Sequence, residues 1–311
     1  MDYSVDLIIP TYAPDKKLDI LLERILMQDV KPNRILLLNT VIEGKEEIVN
    51  PYVEKYGVEV YPISRDEFDH GATRAYGADL SDAEFILFMT QDAVPADSHL
   101  ISSMLKGFEN EEVSVCYGRQ LSGKHGDVIE QFTRQFNYPD KTMLKSKEDI
   151  ETMGIKAFFC SDVCAMYRKK VYDELGGFVK KTIFNEDMIM AYHMIQAGYK
   201  ILYEKDAKVV HSHNYGYMQQ FHRNFDLGVS HKQYEEVFGN IKSESEGIRL
   251  VVDTAHNLVK EGKYLKVVDL IVASGFKYVG YRAGLLYKKL PKSVIMKCTS
   301  NKGYWKDNKE L

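Results

Sequence analysis

The sequence predicts an α/β protein of Rossmann-like kind: a mostly parallel sheet flanked by helices, followed by a helical C-terminal extension. Two observations carry this. Through the first hundred residues, short apolar runs alternate with segments of helical period, the strand–helix–strand order of a parallel sheet covered on both sides. Beyond Asn224 the pattern turns helical and stays so, without an internal repeat or a low-complexity segment.

Taken in order, Val5 to Ile9 reads as a buried strand bounded by Pro10, and Leu18, Leu21, Leu22, Ile25 and Leu26 recur at helical spacing. Further strands are predicted at 34–38, 58–61 and 84–89, with a helix over 72–80 between the last two. Leu100, Ile101, Met104, Leu105 and Phe108 form the apolar face of another helix. In the middle, 113–117 and 157–167 read as strands separated by a polar, mobile stretch over 121–147. Gly176-Gly177-Phe178 marks a turn, and Asn185 caps a helix with Met188, Tyr192 and Ile195 inward, stopped by Gly198. Short strands follow at 200–203 and 208–210, and Ile248, Val251, Val252, Ala255, Leu258 and Val259 fit one helical stripe.

Composition bounds the function. The 311 residues, 45% hydrophobic and 28% charged, suit one large globular domain plus an extension. A net charge of −4 implies no general attraction to nucleic acid, but its distribution is uneven. From Phe276 to Leu311 nine Lys/Arg face two Asp/Glu, a balance of +7 that leaves −11 for the rest. A basic tail on an acidic body points to an anionic surface as partner, either a membrane or nucleic acid. Cys116, Cys160, Cys164 and Cys298 lack zinc-ligand spacing and read as reduced, buried thiols, Cys160 and Cys164 sharing one face of a strand. The N-terminus has no basic leader, and no stretch reaches the roughly 18 apolar residues of a membrane span. The expected location is therefore the cytoplasm, including the inner face of the cell membrane.

Ligands of an open α/β sheet bind beyond the carboxyl ends of its strands. The polar residues there are Thr11 and Tyr12 after the first strand, Asn39 after the second and Gln91-Asp92 after the fourth. Neither a G-x-G-x-x-G nor a G-x-x-x-x-G-K-[ST] loop is present to cradle phosphates, so a bound diphosphate needs another neutralising device. Asp92 suggests a divalent cation, since hard cations take carboxylate oxygen. Glu186 and Asp187 open a helix, where the dipole favours a deprotonated carboxylate able to act as general base, or simply form an acidic first turn. His211 and His213, alternating at a strand end, lie on one face and either complete a metal site or pack as an ordinary pair.

In combination these residues resemble a known family. Ile8-Ile9-Pro10-Thr11-Tyr12, Phe68-Asp69-His70-Gly71-Ala72-Thr73-Arg74 and Thr90-Gln91-Asp92-Ala93-Val94-Pro95 look like an inverting family 2 glycosyltransferase. Gly176-Gly177-Phe178, Asn185-Glu186-Asp187 and His211-Ser212-His213 continue the series in order, and the last, with Asn214-Tyr215, is similar to bacterial rhamnosyltransferases of cell-wall polysaccharide and O-antigen synthesis. The likeness covers residues 4–225, and Lys302-Gly303-Tyr304-Trp305 resembles tails of that group.

The resemblance implies a GT-A fold, with residues 1–225 as catalytic domain and 226–311 as helical extension carrying a basic amphipathic tail. It implies transfer of a sugar, rhamnose from dTDP-rhamnose ahead of a UDP-hexose, onto a saccharide acceptor linked to a polyprenyl lipid. Thr11, Tyr12 and Asn39 would line the nucleoside pocket, with Asn39 standing where the family usually has Asp. Gly71 and Arg74 would lie near the diphosphate, with Gln91 and Asp162 also on the donor side. Asp92 would hold Mn2+ or Mg2+ with His213 or His211, its acidic motif reduced to one Asp between Gln91 and Ala93. Asp187 matches the general base, positioned by Glu186. Two rivals, a silent sugar-nucleotide-binding module and a nicotinamide-dependent oxidoreductase, are opposed by the intact Asp92 and Asp187 and by the missing glycine fingerprint. Phe276, Val279, Gly280, Leu285, Leu286 and Leu290, mixed with Lys277, Arg282, Lys288 and Lys289, form a basic amphipathic segment for an anionic leaflet or a helix packed on the protein. The helical C-terminal portion also offers a homodimer surface.

Overall fold

A computed structural model describes residues 3–124, 126–239 and 244–306. The last five residues of the basic tail and the first two of the N-terminus lie outside the described residues. In chain order the strands are β1 (Val5–Tyr12), β2 (Arg34–Thr40), β3 (Glu59–Ile63), β4 (Phe85–Met89), β5 (Val94–Pro95), β6 (Val113–Leu121), β7 (Met143–Lys145), β8 (Cys164–Arg168) and β9 (Lys200–Val210). The helices are α1 (Lys16–Leu26), α2 (Asn50–Tyr56), α3 (His70–Asp79), α4 (Leu100–Gly107), α5 (Val128–Asn137), α6 (Ile150–Met153), α7 (Lys169–Glu174), α8 (Glu186–Gln196), α9 (Tyr217–Gln233), α10 (Glu235–Phe238), α11 (Glu244–Lys260), α12 (Tyr264–Leu285) and α13 (Lys292–Cys298). They form two compact units, one of Met1–Gly123, Tyr138–Lys181 and Glu186–His211, the other of Lys124–Asn137, Thr182–Asn185 and Ser212–Leu311.

The first unit holds one sheet in the order β3-β2-β1-β4-β8-β6-β9-β5, with β7 pairing β9. β1 runs parallel to β2 and β4, whereas β8 runs antiparallel to both β4 and β6. Leu7, Ile9, Leu37 and Leu87 face one apolar layer with Leu18, Leu21, Leu22 and Ile25 of α1 and Ile101 and Met104 of α4. Ile8 and Leu38 face the other side, where α3 lies so close that a Cβ on Gly77 would stand 2.6 Å from the Ile8 side chain. The small residues Ala75, Gly77 and Ala78 therefore let α3 sit on the sheet. Both faces are covered, as predicted, which is why these strands read as continuous apolar runs.

Four expectations change. The segments 200–203 and 208–210 belong to one strand, β9, whose register against β6 slips between Gly118 and Arg119, opposite Glu204 and Lys208. A Cβ on Gly118 would meet the Ala207 carbonyl oxygen at 2.6 Å, so the irregularity needs the glycine. The polar stretch 121–147, where no element was expected, carries α5 and β7. The predicted strand over 157–167 begins only at Cys164, after a 3-10 turn at Gly154–Phe158, so Cys160 and Cys164 do not share a strand face. Cys116, Cys160 and Cys164 are buried as expected, but Cys298 is half-buried.

The second unit is helical. α9 and α12 pack through Gly228, Gly280 and Gly284, where an added Cβ would come within 2.1–2.3 Å of facing backbone oxygens. Ile183, Phe225, Val229, Tyr287, Ile295 and Trp305 form its core, and buried Asp226 accepts from the hydroxyls of Thr299 and Ser300 and from the Ser300 N–H. Gly284→Val is expected to cost about 1–3 kcal/mol, since backbone cannot yield as a side chain does. A urea midpoint equal to wild type would contradict the close packing. The predicted segment 276–290 does not act as one outward face, because Phe276 stacks on Tyr217 and Gly280 is buried against α9.

Candidate active site

The strand ends carry the candidate residues. Register sets Thr11 of β1 opposite Asn39 of β2, and the Thr11 hydroxyl donates to Asn39 Oδ1 at 3.1 Å, both side chains buried. Gln91, just past β4, reaches across to β1, where its Oε1 accepts from the Tyr12 N–H at 2.9 Å and its Nε2 donates to the Tyr12 carbonyl at 3.0 Å. The Gln91 amide thus ties two strand ends together and leaves the Tyr12 ring exposed beside them.

An acidic cluster emerges at the same edge. Because β8 opposes β4, with Met89 across from Cys164, residues that precede β8 lie beside those that follow β4; the Thr90 N–H donates to the Val163 carbonyl at 3.2 Å. Buried Asp162 accepts from the Tyr167 hydroxyl at 2.7 Å. Arg74, on α3, brings Nη1 to 2.8 Å from Glu186 Oε1 and Nε to 3.4 Å from Asp162 Oδ2. Asp187, in the first turn of α8, accepts from the Asp162 N–H at 3.1 Å and from the Met188 N–H at 2.7 Å. Asn185, which leads into that turn, takes a left-handed φ of 69°, a conformation Asn tolerates better than most residues.

Buried Asp162 and Glu186 and half-buried Asp187 surround one guanidinium, so full ionisation is unfavourable. Burial, then the neighbouring charge of Glu186, pushes Asp187 up to about 7, against the two backbone N–H groups and Arg74. Burial and the charge of Asp187 hold Asp162 well above the usual carboxylate range. The helix dipole favours a deprotonated Asp187, but desolvation and the charge of Glu186 act against it. Arg74, expected near a diphosphate, directs its guanidinium at Asp162 and Glu186, and the Gly71 N–H is engaged by Asp69 Oδ1 at 2.9 Å. Buried Lys145 supports the loop that leads to Asp162 by donating to the carbonyls of Lys156 and Phe159 at 3.0 and 2.6 Å.

A second group forms around Asp92. Pairing of Val94 with Val210 brings the turn holding Asp92 beside His211, and Asp92 Oδ1 lies 3.5 Å from His211 Nε2, with Lys17 Nζ 4.0 Å from Oδ2. Gln120 donates through Nε2 to the Ser161 hydroxyl at 3.0 Å, which leaves its Oε1, 3.1 Å from His211 Nδ1, as an acceptor. Nδ1 thus faces the Gln120 amide and Nε2 a carboxylate oxygen. Carboxylate with imidazole suits a divalent cation. His213 belongs to the second unit, where its ring stacks on Tyr215 and its N–H donates to Glu130 Oε1 at 3.0 Å. Gln120→Leu releases the His211 ring and should weaken divalent-cation affinity about 10- to 100-fold, measured by Mn2+ titration; unchanged affinity would remove His211 from the ligand set.

Tyr167, Gln120 and Lys17 were not singled out from the sequence. Gln120, a polar residue closing an apolar strand, left a signal there; Tyr167 reads as an ordinary core aromatic.

Comparison with known proteins identifies the family. The family profile described as Glycosyl transferase family 2 matches residues 6–176. The chain is 36% identical over 306 residues to the O-antigen chain rhamnosyltransferase RfbN of Salmonella typhimurium strain LT2, covering 97% of this chain and 96% of the relative. It is 34% identical over 308 residues to the O-antigen chain rhamnosyltransferase WbaN of Salmonella anatum, with the same coverage. Among solved structures, the mannosyltransferase PcManGT of Pyrobaculum calidifontis, in complex with GDP-Man and Mn2+, superimposes with a TM-score of 0.58 at 14% identity, over 95% of this chain and 79% of that one. S. aureus TarS 1–349 does so with a TM-score of 0.51 at 16% identity, over 92% and 91%. These structures share the GT-A fold. With more than half of its length matched by the family profile and two relatives aligned over nearly all of it, this chain belongs to glycosyl transferase family 2 and is a glycosyltransferase.

Proposed function

We propose that the protein is an inverting rhamnosyltransferase of cell-surface polysaccharide synthesis. It moves L-rhamnose from dTDP-rhamnose onto a saccharide acceptor linked to a polyprenyl lipid at the inner face of the cell membrane. The two rhamnosyltransferase relatives support the sugar. The observation that carries the mechanism is Asp187: half-buried, held by two backbone N–H groups and titrating near neutrality. Asp187 accepts the proton of an acceptor hydroxyl as that oxygen attacks the anomeric carbon. The new glycosidic bond forms as the bond to the nucleoside diphosphate breaks on the opposite face, and the diphosphate leaves with the electron pair. Arg74, Glu186 and Asp162 keep the base in place and near its working pKa.

Asp92 and His211 would hold Mn2+ or Mg2+. When bound, the cation supplies positive charge to the departing diphosphate. Thr11, Tyr12 and Asn39 line the nucleoside side, with Gln91 and Gly71 shaping the donor edge. Residues 1–225 act as the catalytic domain and 226–311 as its extension.

The test is nucleoside diphosphate release from dTDP-L-rhamnose, UDP-glucose, UDP-N-acetylglucosamine and GDP-mannose, with Mn2+ and in excess chelator. Slow, Mn2+-dependent release from dTDP-rhamnose without acceptor is expected. Preference for a UDP-sugar would reassign the donor, and equal turnover in chelator would remove the cation.

A further inference from the structure

In the second unit, α11 and α12 form a hairpin turned at Gly262, whose φ is 70°. One side of α12 is committed to α9 through Gly280 and Gly284. The other side carries Leu265, Val268, Val272 and Val279 in one column and Tyr264, Ile271 and Tyr278 in the next, all exposed, Leu265 by 88%. These columns run along most of a 22-residue helix, a length of about 33 Å. α11 adds Ile248, Val252 and Val259, each exposed, at positions i, i+4 and i+11. The stripe predicted for α11 therefore faces outward in part, and the helix–core reading of this region accounts for only one side of the hairpin. A contiguous apolar face of this extent marks an interaction site.

Charge says what it meets. From Leu270 to Lys302 the sequence has seven Lys/Arg and no Asp or Glu. Arg282, Lys288, Lys289, Lys292 and Lys297 are all exposed, at and beyond the end of the apolar stripe. Apolar side chains continued by a run of cations fit the boundary between acyl chains and anionic headgroups. A second copy of this chain would meet that run with no carboxylate from the same stretch. Among the described residues no helix is long and apolar enough to cross a membrane, so the contact lies along the surface.

We infer that the α11–α12 hairpin docks the enzyme on an anionic lipid bilayer, its apolar stripe at the headgroup boundary and its C-terminal lysines at the phosphates. This deepens the reading of a lipid-linked acceptor and rests on it for its purpose, but binding is read on vesicles without acceptor, and catalysis separately with a lipid-free saccharide acceptor. The full chain is sedimented with vesicles of phosphatidylcholine alone and of phosphatidylcholine with phosphatidylglycerol. Preferential binding to the anionic vesicles, weakened by salt, is expected. Lys288→Glu with Lys289→Glu and Lys292→Glu should lower it by at least about a hundredfold, from roughly fivefold per lysine. Leu265→Glu with Val268→Glu should lower binding to both kinds of vesicle while donor turnover and circular dichroism stay at wild type. Equal partitioning of wild type and both variants overturns the inference. So does failure to bind vesicles together with a dimer that Leu265→Glu and Val268→Glu abolish, which would assign the face to a second copy. Loss of all turnover in the wild type, with vesicle binding intact, would instead overturn the proposed function.

Discussion

Asp187→Asn is expected to slow sugar transfer by about a hundred- to ten-thousand-fold, the usual contribution of a positioned general base, while the donor still binds. The amide is nearly isosteric with the carboxylate and keeps an oxygen for the backbone N–H groups of Asp162 or Met188, but it cannot take a proton from an acceptor hydroxyl. The wild type adds a second signature. With Asp187 pushed up to about 7 by burial and by Glu186, the proposed base is protonated and idle in acid. The kcat/KM for transfer should therefore rise with pH through neutrality and level off above it. Glu186→Gln removes the negative charge that helps raise Asp187, so its acid limb should move to lower pH. Near wild-type turnover in Asp187→Asn, or a profile flat across neutrality, would remove Asp187 from the role.

Arg74→Ala should be the costliest single change for stability. It leaves buried Asp162 and Glu186 and half-buried Asp187 without their cation, and breaking a buried ion pair from one side costs about 3–5 kcal/mol. The pH dependence fixes the cause. Without the guanidinium, the folded-state pKa values of Asp162 and Asp187 rise further above their unfolded values, so the folded protein binds more protons than the unfolded chain. Stability is then retained in acid and lost as pH rises, and the gap from wild type should widen above neutrality in denaturant unfolding. Adding Glu186→Gln to Arg74→Ala should recover part of the loss. A gap independent of pH, with no recovery in the double variant, would mean that Arg74 contributes packing and not charge.

The sheet was legible where its physics is local. β1, β2 and β4 are buried on both faces and so spell continuous apolar runs, with Pro10 and polar residues at their ends. β9 was not legible as one strand, because Glu204, Lys205 and Asp206 interrupt its apolar pattern where the ladder to β6 slips. The 157–167 segment failed for the opposite reason, since a short apolar run without clear period fits a strand, a 3-10 turn or a loop equally well. α5 was hidden because none of its side chains is fully buried. At the site, the ordered motifs put Asp92, His211, Glu186 and Asp187 in view. The partners that set their chemistry come from other elements: Arg74 from α3, Tyr167 from β8 and Gln120 from β6. Only the strand order brings them together, and a linear pattern does not encode that order.

The sealed thiols have a practical consequence. Cys116 and Cys164 sit on adjacent inner strands and Cys160 just before β8, their thiolate forms disfavoured by burial, while half-buried Cys298 belongs to α13 in the other unit. An alkylating reagent followed by mass spectrometry would therefore act as two clocks in one sample, the first started by opening of the sheet and the second by loosening of the helical unit, with no label engineered in.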